Sequence, residues 1–347
     1  MRNKKHLFGR LCSIASLVGF ASASFSSYAG TTLDSIKQRG EVRCGVNSSL
    51  AGFSAKNGLG KWVGMDVDIC RAIAAAVLGN DRKVSYLPMT GSQRFTALKN
   101  DEIDVLLRNT TFTLARDASM GLRQTVVTYY DGQGFLVPIK SKITRAAQLK
   151  GKAVCVQSGT TSEKNLADFS RNQDLNIQAM PYQRQEGATG AYFAGQCAAF
   201  TDDASALASA RTTNAFNPTD HLILPELISK EPLGAMVRRG DEEWFNVVSW
   251  VISSLIEAEE LGITYVNLDK VKAEGGNSAA GRWLNGASAS GQQLGLDRGW
   301  TYRALRVSGN YGEIFDQHLG IKSPLQLPRG LNNLWNQGGL QYAVPLF

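Results

Sequence analysis

At 347 residues, with 43% hydrophobic and 19% charged side chains, the chain is globular, neither disordered nor collagenous, and long enough for two compact lobes. Four of its positive charges, on Arg2, Lys4, Lys5 and Arg10, fall in the first 29 residues, which hold no acid. Without them the formal charge drops from +7 to +3, and no run of Lys and Arg with interleaved aromatics remains, so nucleic acid is not an expected partner.

The basic start leads into an apolar stretch over 11–25, and Ser27-Tyr28-Ala29 places small residues where a signal peptidase reads. Residues 1–29 are therefore expected to be a cleavable secretory leader of Gram-negative type. Cys12 lacks the small residues that precede a lipid-anchored cysteine, and no later stretch reaches about 18 apolar residues. The mature chain is expected in the periplasm. It retains Cys44, Cys70, Cys155 and Cys197; an even number in an exported chain suggests disulfides, and four cysteines allow three pairings. With only His221 and His318 beyond the leader, a metal site of the usual zinc composition is not expected.

Strand-like and helix-like segments then alternate. Residues 41–46 read as a strand, 66–78 as a helix with Val67, Cys70, Ile73, Ala74 and Val77 on one face, and 83–87 as a strand. A short helix over 93–100 and an apolar strand over 103–107 complete a β-α-β-α-β unit. The plan repeats: strand 153–157, helix 162–172, strand 176–181, helix 187–194, strand 197–201 ending at Asp202-Asp203. Residues 129–137, with two glycines, suit a crossing strand or hinge, and 234–237 suit a strand returning to the first unit. A helix over 241–261 follows, with Phe245, Val248, Ile252, Leu255 and Ile256 on one face; the small, polar stretch 286–295 reads as a mobile loop. The expected organisation is a discontinuous first lobe (30–133 and 232–347) and an inserted second lobe (134–231).

Ligands of such α/β sheets bind at the carboxyl ends of the strands, where the polar clusters 108–116, 158–161 and 202–203 lie. Together these clusters have the chemistry to hold a zwitterion. Arg116 with Thr111 offers a guanidinium and a hydroxyl to a carboxylate. The turn Gly159-Thr160-Thr161 adds N–H groups at a helix start, and Asp202 offers a counter-charge to an ammonium. Each feature alone has an ordinary structural explanation, as a surface charge or a helix cap.

The order of these features resembles the polar amino-acid-binding proteins of ABC uptake transporters in Gram-negative bacteria, the solute-binding proteins of family 3. The resemblance rests on Gly45-Val46-Asn47, Gly64-Met65-Asp66-Val67-Asp68, Arg108-Asn109-Thr110-Thr111 with Arg116, Tyr129 to Phe135, Gln157 to Glu163, and Phe200-Thr201-Asp202. Gly309 to Asp316 and Arg329 to Asn332 match the narrower branch that takes a broad range of L-amino acids. The resemblance implies a two-lobed periplasmic binding protein fold (type II), α/β, with two doubly wound sheets joined by a two-strand hinge. It implies a monomer that binds an L-amino acid, delivers it to a membrane permease, needs no cofactor and has no catalytic residues. Carried over residue by residue, Arg116 and Thr111 would meet the α-carboxylate, with Thr161 and Thr160 donating to it. The Asn109 carbonyl and Asp202 would take the ammonium, with Asp203 in its place if the alignment slips by one. Asn47 and Leu50 stand where many relatives have an Asp and an aromatic, which argues against a site devoted to cationic amino acids. Arg108 is left as a side-chain selector, an ion-pair partner or a solvated charge, and Phe112 and Leu114 are expected to pack beneath the loop. The resemblance also implies the pairings Cys44–Cys70 and Cys155–Cys197, each within a lobe.

Two other readings compete. An exported enzyme on the same fold, of dehydratase or lyase type, would need an acid or base at a strand end, and no separate His, Glu or Lys stands out there. Dinucleotide binding at Gly58 to Gly64 has the wrong glycine spacing for a phosphate turn.

Overall fold

A computed structural model describes residues 32–346; the leader expected over 1–29 lies outside the described residues. In chain order the first part runs α1 (Thr32–Arg39), β1 (Val42–Val46), β2 (Ser49–Leu50), β3 (Ser54–Lys56), β4 (Trp62–Val63), α2 (Met65–Leu78) and β5 (Val84–Pro88). It continues with α3 (Gln93–Lys99), β6 (Val105–Leu106), α4 (Leu114–Ser119) and β7 (Leu122–Asp131). Next come β8 (Gln133–Pro138), β9 (Ala153–Gln157), α5 (Thr161–Asn172), β10 (Gln178–Tyr182), α6 (Gln185–Phe193), β11 (Ala199–Asp203), α7 (Ala204–Thr213), β12 (His221–Ile223) and β13 (Glu231–Arg238). Five helices close the chain: α8 (Glu242–Glu260), α9 (Leu268–Glu274), α10 (Ala279–Ser290), α11 (Trp300–Ser308) and α12 (Tyr311–His318).

Ten of the described strands form two five-stranded sheets of the same design, ordered β5-β1-β6-β13-β7 and β10-β9-β11-β8-β12, each the base of one lobe, and β2, β3 and β4 form a small antiparallel third sheet. β1 in the first sheet and β9 in the second pair in parallel with both neighbours, and the remaining pairs are antiparallel. The central parallel strands β1 and β9 are buried almost throughout, which is why they are nearly continuous apolar runs, whereas the edge strands β5 and β10 are not. The chain crosses between sheets twice, at Gly132 between β7 and β8, and between β12 and β13. At Gly132 any Cβ would lie 2.9 Å from the carbonyl oxygen of Ser229 on the other crossing, so only glycine lets the two crossings run side by side.

Each sheet carries its own cross-link. Cys44 of β1 is bonded to Cys70 of α2, and Cys155 of β9 to Cys197 just before β11, with Cα separations of 6.4 and 5.7 Å. Neither bridge joins the two sheets.

The structure corrects one expectation and agrees with a rejection. The stretch 286–295 is not a loop: it is the end of α10 and a 3-10 turn over Gly291–Leu294. Ser278 caps α10, Trp283, Leu284 and Ala287 are buried, and the Trp300 indole N–H donates to the Ala287 carbonyl at 2.7 Å. Small residues are needed there because Gly291 packs directly on Trp300. The segment Gly58 to Gly64 spans the hairpin between β3 and β4, not a phosphate turn.

Residues beyond 265 pack on the side of the first sheet. Trp300, Leu305, Tyr311 and Phe315 enter its core beside α2 and α8. Asn332 then reaches β7 at the edge of the first crossing, accepting from Tyr130 N at 2.7 Å and donating to Tyr130 O at 3.1 Å. No described helix is long and apolar enough to cross a membrane.

Candidate functional site

The strand ends of the two sheets face each other, and the predicted polar clusters meet at that seam. From the first lobe, Thr113 caps α4 by accepting from Arg116 N, which turns the Arg116 side chain inward. Its guanidinium is buried, donates to the Thr111 carbonyl at 2.7 Å and lies 4.9 Å from the centre of the Phe95 ring. Burial lowers its pKa, opposed by the charges of Glu231 and Asp203. From the second lobe, Thr160 caps α5, so Thr161 opens the helix beside Thr111, with the two hydroxyl oxygens 3.3 Å apart. The Thr160 hydroxyl is not directed at this space: it donates to Gln157 O at 2.7 Å and accepts from Glu163 N.

Asn109 sits at φ +34, a left-handed conformation that Asn tolerates, which leads the chain out of β6 and around Asp66. Its N–H donates to Asp66 at 3.2 Å, and Asn47 Nδ2 lies 3.4 Å from its side-chain oxygen. Asp202 and Asp203 are both buried at the end of β11. Asp202 accepts from Gln185 Nε2 at 3.1 Å and from Asp203 N at 2.9 Å. Asp203 has one oxygen without a hydrogen-bond partner and faces the Asn109 side chain. Desolvation pushes Asp202 up to about 6, and desolvation with the neighbouring carboxylates of Asp131, Asp202 and Glu231 raises Asp203 well above the ordinary range.

Arg108 is not solvated, and among the described residues it forms no ion pair. It is 2% exposed, with Nε donating to Met89 O at 2.8 Å and Nη2 to Gln157 Oε1 at 3.2 Å across the seam. Burial lowers it to about 10, offset in part by Asp202. Asn47 also bridges the lobes, donating to Gln185 Oε1 at 2.8 Å, and Ser48 donates to Glu186 at 2.5 Å. A cavity of about 50 Å³ lies among Asn47, Arg108, Gln157, Arg184, Gln185 and Glu186. Phe112 and Leu114 do not pack beneath the loop; they are 44% and 81% exposed, because the turn of α4 that buries Arg116 points them outward.

The arrangement brings together Asn47, Arg108, Asn109, Thr111, Arg116, Thr161, Asp202 and Asp203, and leaves only the Thr160 side chain turned away. Sequence reasoning missed Glu231. This residue is 1% exposed at the start of β13 and accepts from Thr111 at 2.5 Å and Thr161 at 3.0 Å. It also missed Arg94, a third buried guanidinium, which donates to Arg108 O and Thr110 Oγ1. A charged residue just before Pro232 and an apolar strand was the one available signal for Glu231.

Residues 42–265 match the bacterial extracellular solute-binding proteins, family 3. The chain belongs to this family. It is 46% identical to the general L-amino acid-binding periplasmic protein of Rhizobium johnstonii, over 97% of this chain and 99% of that one. It is equally similar, at 46% over 99% of both chains, to the glutamate/glutamine/aspartate/asparagine-binding protein of Rhodobacter capsulatus. Among solved structures, an ABC transporter periplasmic binding protein from Brucella ovis with glutathione bound superposes with a TM-score of 0.88 at 45% identity. That match covers 92% of this chain and all of the other.

Proposed function

We propose that this chain is the periplasmic binding component of an ABC importer, capturing L-amino acids of several kinds between its lobes and presenting them to a membrane permease. The carrying observation is the facing of Arg116 and the α5 start against Asn109, Asp202 and Asp203 within one buried seam. A free α-carboxylate matches Arg116 and the N–H groups at Thr161, where the helix dipole is positive. The α-ammonium matches the Asn109 carbonyl and a carboxylate of the Asp202–Asp203 pair, whose ionised forms it would favour. The 50 Å³ cavity continues this site toward Arg108 and Gln157, so polar and acidic side chains find donors there. The amino acids named for the relatives support this ligand class.

In this reading the lobes are 30–133 with 232–347 and 134–231, residues 1–29 are a removed leader, the protein acts as a monomer, and it does not transform its ligand. Ligand held by both lobes biases the hinge toward closure, because only the closed form engages both halves of the site. A thermal-shift screen against the common L-amino acids tests the proposal. A ligand at a hundred times its Kd stabilises the fold by about 2.7 kcal/mol, a readily measured shift. A blank screen, or turnover of any ligand found, would refute it.

A further inference from the structure

Glu231 stands on the second crossing between the sheets, opposite Asp131 in the β13–β7 pairing. Four neutral donors converge on its carboxylate. Oε1 accepts from Ser229 Oγ at 2.5 Å and Asn165 Nδ2 at 2.8 Å; Oε2 accepts from Thr111 Oγ1 at 2.5 Å and Thr161 Oγ1 at 3.0 Å. Two of these donors, Asn165 and Thr161, lie on α5 of the second lobe, so the carboxylate ties the hinge to both halves of the site.

A hydroxyl has one hydrogen. If Thr111 and Thr161 both give theirs to an ionised carboxylate, neither has one left for the α-carboxylate of a ligand. Their remaining capacity is as acceptors, and the group of an amino acid that such an acceptor suits is the α-ammonium. We propose that Glu231 is a positioning residue for ligand recognition: from the hinge it fixes the hydroxyl hydrogens of Thr111 and Thr161, so that the Thr111 oxygen presents lone pairs to the ligand ammonium. This rests on the amino-acid-binding reading above and adds Glu231 to it as the group that orients the hydroxyls. Thr111, which the sequence alone placed with the ligand carboxylate, then sits on the ammonium side of the site.

Glu231→Gln reverses the hydrogen inventory while keeping the shape. Asn165 and Ser229 both donate toward one oxygen, so the amide oxygen takes that place and the amide NH2 faces the threonines. Both hydroxyls then accept from the amide and turn their hydrogens toward the ligand.

The test is calorimetry of the full mature chain with two ligand pairs, L-glutamate with glutarate and L-leucine with 4-methylpentanoate, the second of each pair lacking the amino group. E231Q should bind the amino acid at least tenfold more weakly while its affinity for the des-amino partner changes less than threefold. Thr111→Val, which removes the hydroxyl itself, should collapse the same ratio, and the double variant should lose nothing further. Equal losses for both members of a pair, or an unchanged ratio in T111V, would overturn the proposal and leave Glu231 a structural hinge residue. Should E231Q not fold, Glu231→Asp, which draws the carboxylate back from both threonines, takes its place with the same selective loss expected, and equal losses for both members of a pair overturn the proposal. If the wild-type chain binds neither amino acid, the site reading fails first and this inference falls with it.

Discussion

The seam between the lobes closes on Gly91 from one side and Gly159 from the other, and this makes one substitution informative. A Cβ at Gly91 would lie 2.6 Å from the carbonyl oxygen of Ser158 and 3.2 Å from Thr160 Cγ2, both across the seam. The first is backbone and the second belongs to a side chain fixed by its capping bonds, so neither yields cheaply. Gly91 is not in a left-handed conformation, so alanine there strains nothing within its own lobe. Gly91→Ala therefore acts as a wedge that penalises only the closed form. Overpacking a tight contact costs about 1–3 kcal/mol. At about 1.4 kcal/mol per tenfold, that weakens ligand binding by roughly 5- to 150-fold without removing a single ligand contact. Calorimetry gives the affinity, and small-angle scattering with saturating ligand gives the compaction. Gly58→Ala, which meets no atom within 4 Å, is the control. Affinity within twofold of wild type, with unchanged compaction on binding, would refute the closure argument.

Other predictions follow from the same geometry. Arg116→Ala should weaken amino-acid binding by about 2–5 kcal/mol, because the ligand carboxylate would be buried without its partner; equal affinity by calorimetry would dismiss Arg116 as the carboxylate anchor. Reducing either disulfide should cost about 3–4 kcal/mol from the loops of 26 and 42 residues they close, measured by urea melts of the two paired Cys→Ser variants. In the ligand-free protein, Asp66, Asp131 and Asp202 titrate at about 6 against an ordinary 3.8, all chiefly through burial. Raised folded values mean that the folded state holds extra protons between those limits, so stability should rise as pH falls from 7 toward 4. It should then fall again as Asp68 and Asp297, whose values are lowered, take up protons. Affinity should run the other way and weaken below about pH 6, since an ammonium ligand needs Asp202 ionised; a pH-independent Kd between 5 and 7.5 would argue against that contact.

Much of the fold was legible because the central strands of the two units are buried almost throughout and most helices bury one face, so period and apolarity agree locally. The strand at 153–157 and the long helix near 241–261 are of this kind. The region after 265 was not, since α10 is held by Trp283 and Trp300 finding each other's neighbourhood rather than by its own pattern. The site divides the same way. Arg116, Thr161 and Asp202 carry local signals, a strand end or a helix cap. Arg108 has its meaning from Met89 and Gln157, 19 and 49 residues away, and Glu231 from Thr111, 120 residues away. Proton direction at a hydroxyl is a property of the assembled seam.

The grip of Asn332 on Tyr130 bears on how the molecule swings. Tyr311 adds a second hold, donating to Thr128 O at 2.8 Å, and Gln341 secures Tyr311 in turn at 3.0 Å. The last third of the chain thereby works as a strap that immobilises β7 almost to its final residue. Bending is confined to the few bonds around Gly132 and the parallel stretch near Ser229, so the pivot is a short pin instead of a pliant ribbon. Residues some 200 positions downstream of β7 thereby bear on how freely the two lobes can turn about their crossings.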